Sequence, residues 1–396
     1  MIPQTMYDPA RDCFTSSSPP KPQAQSPSKN SRKRRLPGTN RDSEEEEIGN
    51  VPSRSPSPHR PLKRPNIRKE RALDPLPAES SHGEPAAKKP CVGVDVVKKH
   101  YNDRREIGRS ARKYSPIIKL RAFNNWIKSC LIQKFTPYTS DHPLVVLDMG
   151  CGKGGDLLKW DKARINIYVG VDVADVSVSQ ARNRYRDMKR VGFEASFYVL
   201  DCFRRSLRDV LPRDHPPFDI VSMQFCMHYA FESERQARTL LENVTRGLRL
   251  GGKFIGTIPN SEIIESHLKE GELKWGNQFY RVEFEKPLPN GCFRPPFGHR
   301  YSFFLQDAVE DVPEYVVPFG AFRSLAEEYN LELLYRKPFM DIFQEEKQDR
   351  ELGYLLDRMG VVDQDGRRGI QGDERECAAF YLAFAFEKRG VRLQAL

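Results

Sequence analysis

Between Ile117 and Phe135 apolar side chains return at helical spacing. Leu120, Phe123, Ile127 and Leu131 form one stripe, which predicts a helix with one face in a core. Asn124 and Lys128 stand four residues apart and share a face of that helix. The run Leu144–Asp156, LVVLDMGCGKGGD, changes the period. An apolar stretch of strand length breaks into a turn carrying Gly150, Gly152, Gly154 and Gly155, and Asp156, Leu157 and Leu158 open a helix. Strands and helices then alternate: strand Ile167–Asp172, helix Ser177–Arg190, strand Ser196–Asp201, strand Phe218–Met223, helix Glu234–Arg249 and strand Lys253–Thr257. This alternation predicts a doubly wound α/β domain on a mostly parallel sheet, with ligands at the carboxyl ends of the strands. Asp148, Asp172, Asp201 and Gln224 fall at those ends.

Ahead of this region, residues 1–95 are crowded with Ser, Pro, Lys, Arg and Glu and show neither period. We expect a disordered tail there and a single folded domain over 96–396. The tail holds the basic cluster Arg32, Lys33, Arg34 and Arg35, an acidic run Glu44–Glu47, and a second basic set with Lys63, Arg64, Arg68 and Lys69. Such clusters suit nuclear import receptors or RNA phosphate, or are plain solvated charge; nuclear import is the favoured expectation. Ser-Pro pairs at Ser18, Ser26, Ser55 and Ser57 are candidate phosphorylation sites.

The net charge of +10 makes phosphate-bearing partners, nucleic acid first, the natural expectation. The 8 cysteines show no CxxC pair and no neighbouring His at ligand spacing, so we expect reduced thiols and no metal site. No apolar run is long enough to span a bilayer and no signal peptide pattern opens the chain, so we expect an intracellular protein without a membrane partner.

The glycines let the backbone approach a ligand closely, and the helix behind them offers free N–H groups to negative charge. Gly150, Gly152 and Gly155 satisfy GxGxxG, so the loop alone fits a nicotinamide enzyme or an S-adenosylmethionine enzyme. Asp172, about twenty residues on, suits the ribose hydroxyls of either cofactor. Asp148 before the first glycine suits an ammonium group, and Asp201 suits the adenine amino group. With Gln224 they favour S-adenosylmethionine.

A family resemblance narrows the chemistry. The runs FNNWIKSCLI (Phe123–Ile132), LDMGCGKGGDLLKW (Leu147–Trp160), VDVADVSV (Val171–Val178), QFCMHYAFES (Gln224–Ser233), GGKFIGTIPN (Gly251–Asn260), DVPEY (Asp311–Tyr315) and FAFEK (Phe384–Lys388) resemble the eukaryotic, fungal-type messenger RNA cap (guanine-N7) methyltransferases. The match runs in order from about His100 to Arg389. The tail has no match, and Lys347–Glu376 matches poorly.

The resemblance implies a Rossmann-like class I S-adenosylmethionine-dependent methyltransferase with an insertion after the fifth strand. It implies that Lys128, Gly150, Asp172, Asp201, Gln224 and Tyr229 contact the cofactor, and that Asn124, Asn125, Lys153, Lys159, Arg184, His228, Glu314 and Tyr381 face the capped RNA. Lys153, Lys159 and Arg184 would meet a triphosphate bridge, Glu314 the N1–H and amino group of guanine, and Tyr229 and Tyr381 offer stacking faces. Guanine N7 holds a free lone pair at neutral pH, so no residue is expected to act as acid, base or nucleophile. The pathway implied places the protein in the nucleus, with the capped 5′ end of messenger RNA as substrate and RNA guanylyltransferase and the phosphorylated RNA polymerase II tail as partners. The rival readings are a methyltransferase acting on a small molecule or protein, which Glu314 and His228 failing to line one pocket would favour, a noncatalytic RNA-binding scaffold, which cofactor binding would separate, and a nicotinamide oxidoreductase, which only bound dinucleotide would support.

Overall fold

The computed structural model describes residues 5–8, 13–16, 92–103, 114–138, 140–288, 292–363 and 365–390. Of the expected tail it describes two short paired strands, Thr5–Asp8 with Cys13–Ser16; the basic clusters, the acidic run and the Ser-Pro pairs named above lie outside the described residues. The boundary expected at residue 95 falls inside a helix, α1 (Val92–Asp103), which the sequence did not reveal. Valines are weak helix formers, and this helix is fixed by tertiary contacts: Val97 is buried, and Lys98 and Asn102 both reach Asp175.

Helix α2 (Ile118–Phe135) buries Leu120, Phe123, Ile127 and Leu131, the stripe expected of it. Its Trp126 indole donates to the Leu352 carbonyl at 2.8 Å, which ties it to a later helix. The main sheet then begins with β1 (Val145–Met149), buried along its whole length as a strand covered on both faces must be. There follow α3 (Leu157–Lys162), β2 (Ile167–Asp172), α4 (Asp175–Asp187), β3 (Glu194–Val199), β4 (Phe218–Gln224), α5 (Glu234–Gly247), β5 (Leu248–Pro259) and α6 (Ser261–Lys269). Helix α4 ends before Arg190 because Met188 is extended and Arg190 takes a positive φ. Strand β3 stops at Val199, its partner across from Asp172, so Asp201 sits in the turn beyond the strand instead of at its end.

The insertion after β5 is an antiparallel sheet of β6 (Lys274–Gly276), β7 (Tyr280–Glu283), β8 (Arg300–Leu305) and β9 (Val309–Tyr315), in the order β9-β8-β7-β6. The chain returns through α7 (Phe319–Glu328), β10 (Leu331–Pro338), α8 (Phe339–Glu346), α9 (Arg350–Arg358), α10 (Gly372–Ala379) and β11 (Tyr381–Lys388). The seven strands of the main sheet run β10-β11-β5-β4-β1-β2-β3. Pairing is parallel from β5 to β3 and antiparallel at β11 with both its neighbours. The winding reverses between β1 and β4, and at such a switch point the carboxyl ends of the strands leave a crevice.

Candidate active site

That crevice is a cavity of about 220 Å³, lined in part by Gly150 after β1, Asp172 at the end of β2, Asp201 beyond β3, Gln224 at the end of β4, and Tyr229. Gly150 has a φ of +76°, and a β-carbon there would lie 2.5 Å from the Cys226 sulfur, so glycine is required both for conformation and for room. Its N–H donates to the Val171 carbonyl at 2.7 Å, which fastens the loop to β2. The Gly152 N–H donates to Asp172 Oδ2 at 2.8 Å and the Ala174 N–H to Oδ1 at 2.9 Å. The carboxylate is thereby fixed in one orientation, with lone pairs left for a diol. Burial pushes its pKa up, partly offset by those backbone donors. Gln224 reaches the lining with its amide bonded to Ser222 and Thr257, and Asp201 accepts from the Phe203 N–H at 3.1 Å.

The basic residues gather at the glycine turn but off the cavity lining. Lys128, expected at the cofactor, is not on the cavity lining: its ammonium lies 2.7 Å from Asp156. Lys159 Nζ lies 2.9 Å from the same carboxylate and 2.9 Å from Asn125 Oδ1, and Arg184 donates to the Gly154 carbonyl at 3.3 Å. Burial works to raise the pKa of Asp156, but the two lysines override it and hold the carboxyl well below its ordinary range. Lys153 sits within this turn, and the Asn124 side-chain oxygen is buried without a hydrogen-bond partner among the described residues. Asparagine, lysine and arginine side chains thus surround the one turn that also touches the cavity.

Glu314 and His228 meet on the insertion side. Glu314 is 4% exposed on β9, accepts from the Tyr301 hydroxyl at 2.8 Å, and is flanked by Pro313 and Tyr315 of the cavity lining. His228, 2% exposed in a short 3₁₀ helix (Met227–Glu232), has its Nε2 3.3 Å from Glu314 Oε1 without hydrogen-bond alignment. Neither of its ring nitrogens has a hydrogen-bond partner among the described residues. A core histidine normally satisfies at least one nitrogen; here neither is satisfied among the described residues. Tyr381 opens β11 with its ring 5.0 Å from Phe225, buried, and burial together with Cys377 and Glu314 raises its phenol pKa.

The structure thus brings together five of the six expected cofactor residues and pairs His228 with Glu314. It leaves Lys128, and Lys159 expected to face the RNA, paired with Asp156 in the adjoining network. Asp148 is corrected: it lies off the cavity lining and accepts the Tyr168 hydroxyl at 2.8 Å. Alternation alone could not reveal this, because it places a residue at a strand end without saying which neighbour its side chain meets. Tyr101, missed in the sequence, lines the cavity from α1 and its hydroxyl lies 3.4 Å from that of Tyr229. Tyr301 was missed too; its position opposite Glu314 depends on the β8–β9 register.

Burial and the nearby Asp156 push the Asp148 carboxyl up from 3.8 to about 7. Across that window the folded protein binds a proton that the unfolded chain does not, so stability falls as pH rises through it. Asp148→Asn keeps an acceptor for Tyr168 without the charge. Thermal melts should show the variant gaining on the order of 2 kcal/mol above pH 7 and losing that gain toward pH 4. A gain independent of pH contradicts the assignment.

A doubly wound sheet, a glycine turn at its switch point and a fixed carboxylate closing the second strand suit an adenosine-bearing cofactor, and the family match identifies the fold as that of a class I S-adenosylmethionine-dependent methyltransferase. The mRNA (guanine-N(7))-methyltransferase domain model matches residues 87–389. Proteins named mRNA cap guanine-N(7) methyltransferase are similar along most of the domain. The one from Schizosaccharomyces pombe is 60% identical over 300 residues, 75% of this chain and 83% of its own length. That from Pyricularia oryzae is 45% identical over 372 residues, 74% of this chain and 76% of its own. That from Cryptococcus neoformans JEC21 is 51% identical over 303 residues, 74% of this chain but 48% of its own length. The chain belongs to the mRNA cap (guanine-N7) methyltransferase family, and S-adenosylmethionine is its methyl donor.

Proposed function

We propose that the cavity at Gly150 holds S-adenosylmethionine, that the pocket at His228 and Glu314 holds the guanine of GpppN-capped messenger RNA, and that the methyl passes to N7 without a protein base. The observation that carries this is the buried pair His228 and Glu314, an unsatisfied imidazole beside a carboxylate, contiguous with the cavity lining.

The residues fit the cofactor: Asp172 offers fixed acceptors to ribose, Asp201 an acceptor to the adenine amino group, and Gly150 room for close approach. When bound, the cofactor supplies an electrophilic sulfonium methyl. Glu314 accepts from the N1–H and amino group of guanine, which selects against adenine. Lys153, Lys159 and Arg184 meet the triphosphate from the glycine turn, and Tyr381 gives the base an aromatic wall. Because N7 already carries its lone pair, the side chains contribute position and charge, and no proton has to be removed first. With both ligands saturating, the single-turnover rate should stay level from about pH 6 to about pH 9; a bell-shaped profile with two enzyme groups contradicts the absence of a base.

The same reading places the enzyme in the nucleus. It acts after an RNA guanylyltransferase has joined the guanosine, alongside the phosphorylated RNA polymerase II tail, and the Arg32–Arg35 cluster supports nuclear import.

A further inference from the structure

A groove of about 670 Å³ runs between the second half of α2, α3 and α9, with none of its lining residues shared with the cofactor cavity. Lys159 lines it, and the same ammonium is bonded to Asn125 at 2.9 Å, so the groove adjoins residues assigned to the cap. Its walls also carry Lys162 at the end of α3, Arg164 just beyond it and Arg358 on α9, against one acid, Glu351. Two tyrosines line it in unusual exposure: Tyr138 is 85% and Tyr354 56% exposed. Each already has a guanidinium over its ring, Arg164 at 5.5 Å from the Tyr138 centroid and Arg358 at 5.5 Å from that of Tyr354.

Packing gives no reason for two wet tyrosines, and neither supports the core. Aromatic faces interleaved with cations along an open groove are what a single-stranded nucleic acid uses: bases stack on the rings and the phosphates meet the charges. We infer that this groove carries the nucleotides that follow the cap, with phosphates on Lys162, Arg164 and Arg358 and bases on Tyr138 and Tyr354. The inference rests on the cap reading, since Lys159 is the residue the groove shares with the cap-facing set. An acidic protein segment would find the same charges, but the paired ring faces and the adjoining cap residues suit RNA.

The test compares the whole chain with the double variants Lys162→Glu/Arg164→Glu and Tyr138→Ala/Tyr354→Ala. Two substrates are used, the dinucleotide GpppG and a GpppG-capped RNA of about 20 nucleotides. For the capped RNA, KM should rise about tenfold in either variant near 0.1 M salt, and the charge reversal should flatten the salt dependence by about 0.7 per lost phosphate contact. Turnover number and the kinetics with GpppG should match the parent, which also reports that the fold is intact. An unchanged KM for capped RNA, with the parent active on GpppG, overturns the groove alone and leaves it to an acidic partner. Equal losses on both substrates also overturn it, because the residues would then act on the site or the fold. A parent inactive on both substrates overturns the cap reading itself.

Discussion

Glu314→Ala is expected to lower kcat/KM for capped RNA between about 10² and 10⁴-fold, because two hydrogen bonds from guanine to a charged acceptor are lost at about 1.5–3 kcal/mol each. Cofactor affinity should move far less, since Glu314 reaches the cavity only through its neighbours Pro313 and Tyr315. Glu314→Gln is the informative companion. Its amide oxygen can still accept, but its NH₂ must face either the Tyr301 hydroxyl, which donates at 2.8 Å in the parent, or a guanine donor. It should therefore lose one of the two bonds and fall between parent and alanine. Steady-state kinetics with GpppG, paired with calorimetric binding of S-adenosylmethionine, give both readouts. A parallel loss of cofactor binding would assign Glu314 to the wrong ligand.

Asp172→Ala should weaken S-adenosylmethionine binding by 10² or more, by the same arithmetic applied to two ribose hydroxyls. The damage goes further than the ligand, because the carboxylate also holds the Gly152 and Ala174 N–H groups at 2.8 and 2.9 Å. For that reason asparagine is not a mild substitute here. Both of its terminal atoms would face backbone donors, one of them with an NH₂, so the loop must shift. Asp172→Asn should bind cofactor nearly as poorly as alanine, measured by fluorescence quenching or calorimetry. Affinity within about threefold of the parent in Asp172→Asn would mean the ribose lies elsewhere.

Much of this was legible in the chain because it depends on local period. The stripe of α2, the strand that breaks at Gly150 and the carboxylate closing β2 each follow from spacing, and the structure places them as spacing demands. What could not be read depends on register or on distant pairing. Helix α1 is rich in valine and is held by Asp175, 72 residues beyond Asp103 in no local pattern, so Tyr101 reached the cavity unannounced. Lys128 and Asp156 lie 28 apart in sequence, and only the approach of α2 to α3 makes them a pair. Asp148 occupies the expected strand end but accepts from Tyr168, 20 residues on in sequence, a pairing that charge and position do not encode. The pairing of His228 with Glu314 was foreseen from the family resemblance, and what the fold adds is that both imidazole nitrogens are buried without hydrogen bonds.

The most direct measurement is transfer of label from methyl-labelled S-adenosylmethionine to RNA ending in GpppN, ApppN or a bare triphosphate, followed by digestion and identification of the labelled nucleotide. Methylation at guanine N7 of a cap gives label in GpppN RNA alone, recovered as 7-methylguanosine. Label in ApppN RNA at a comparable rate, or methyl groups recovered anywhere but N7 of the terminal guanine, would contradict it.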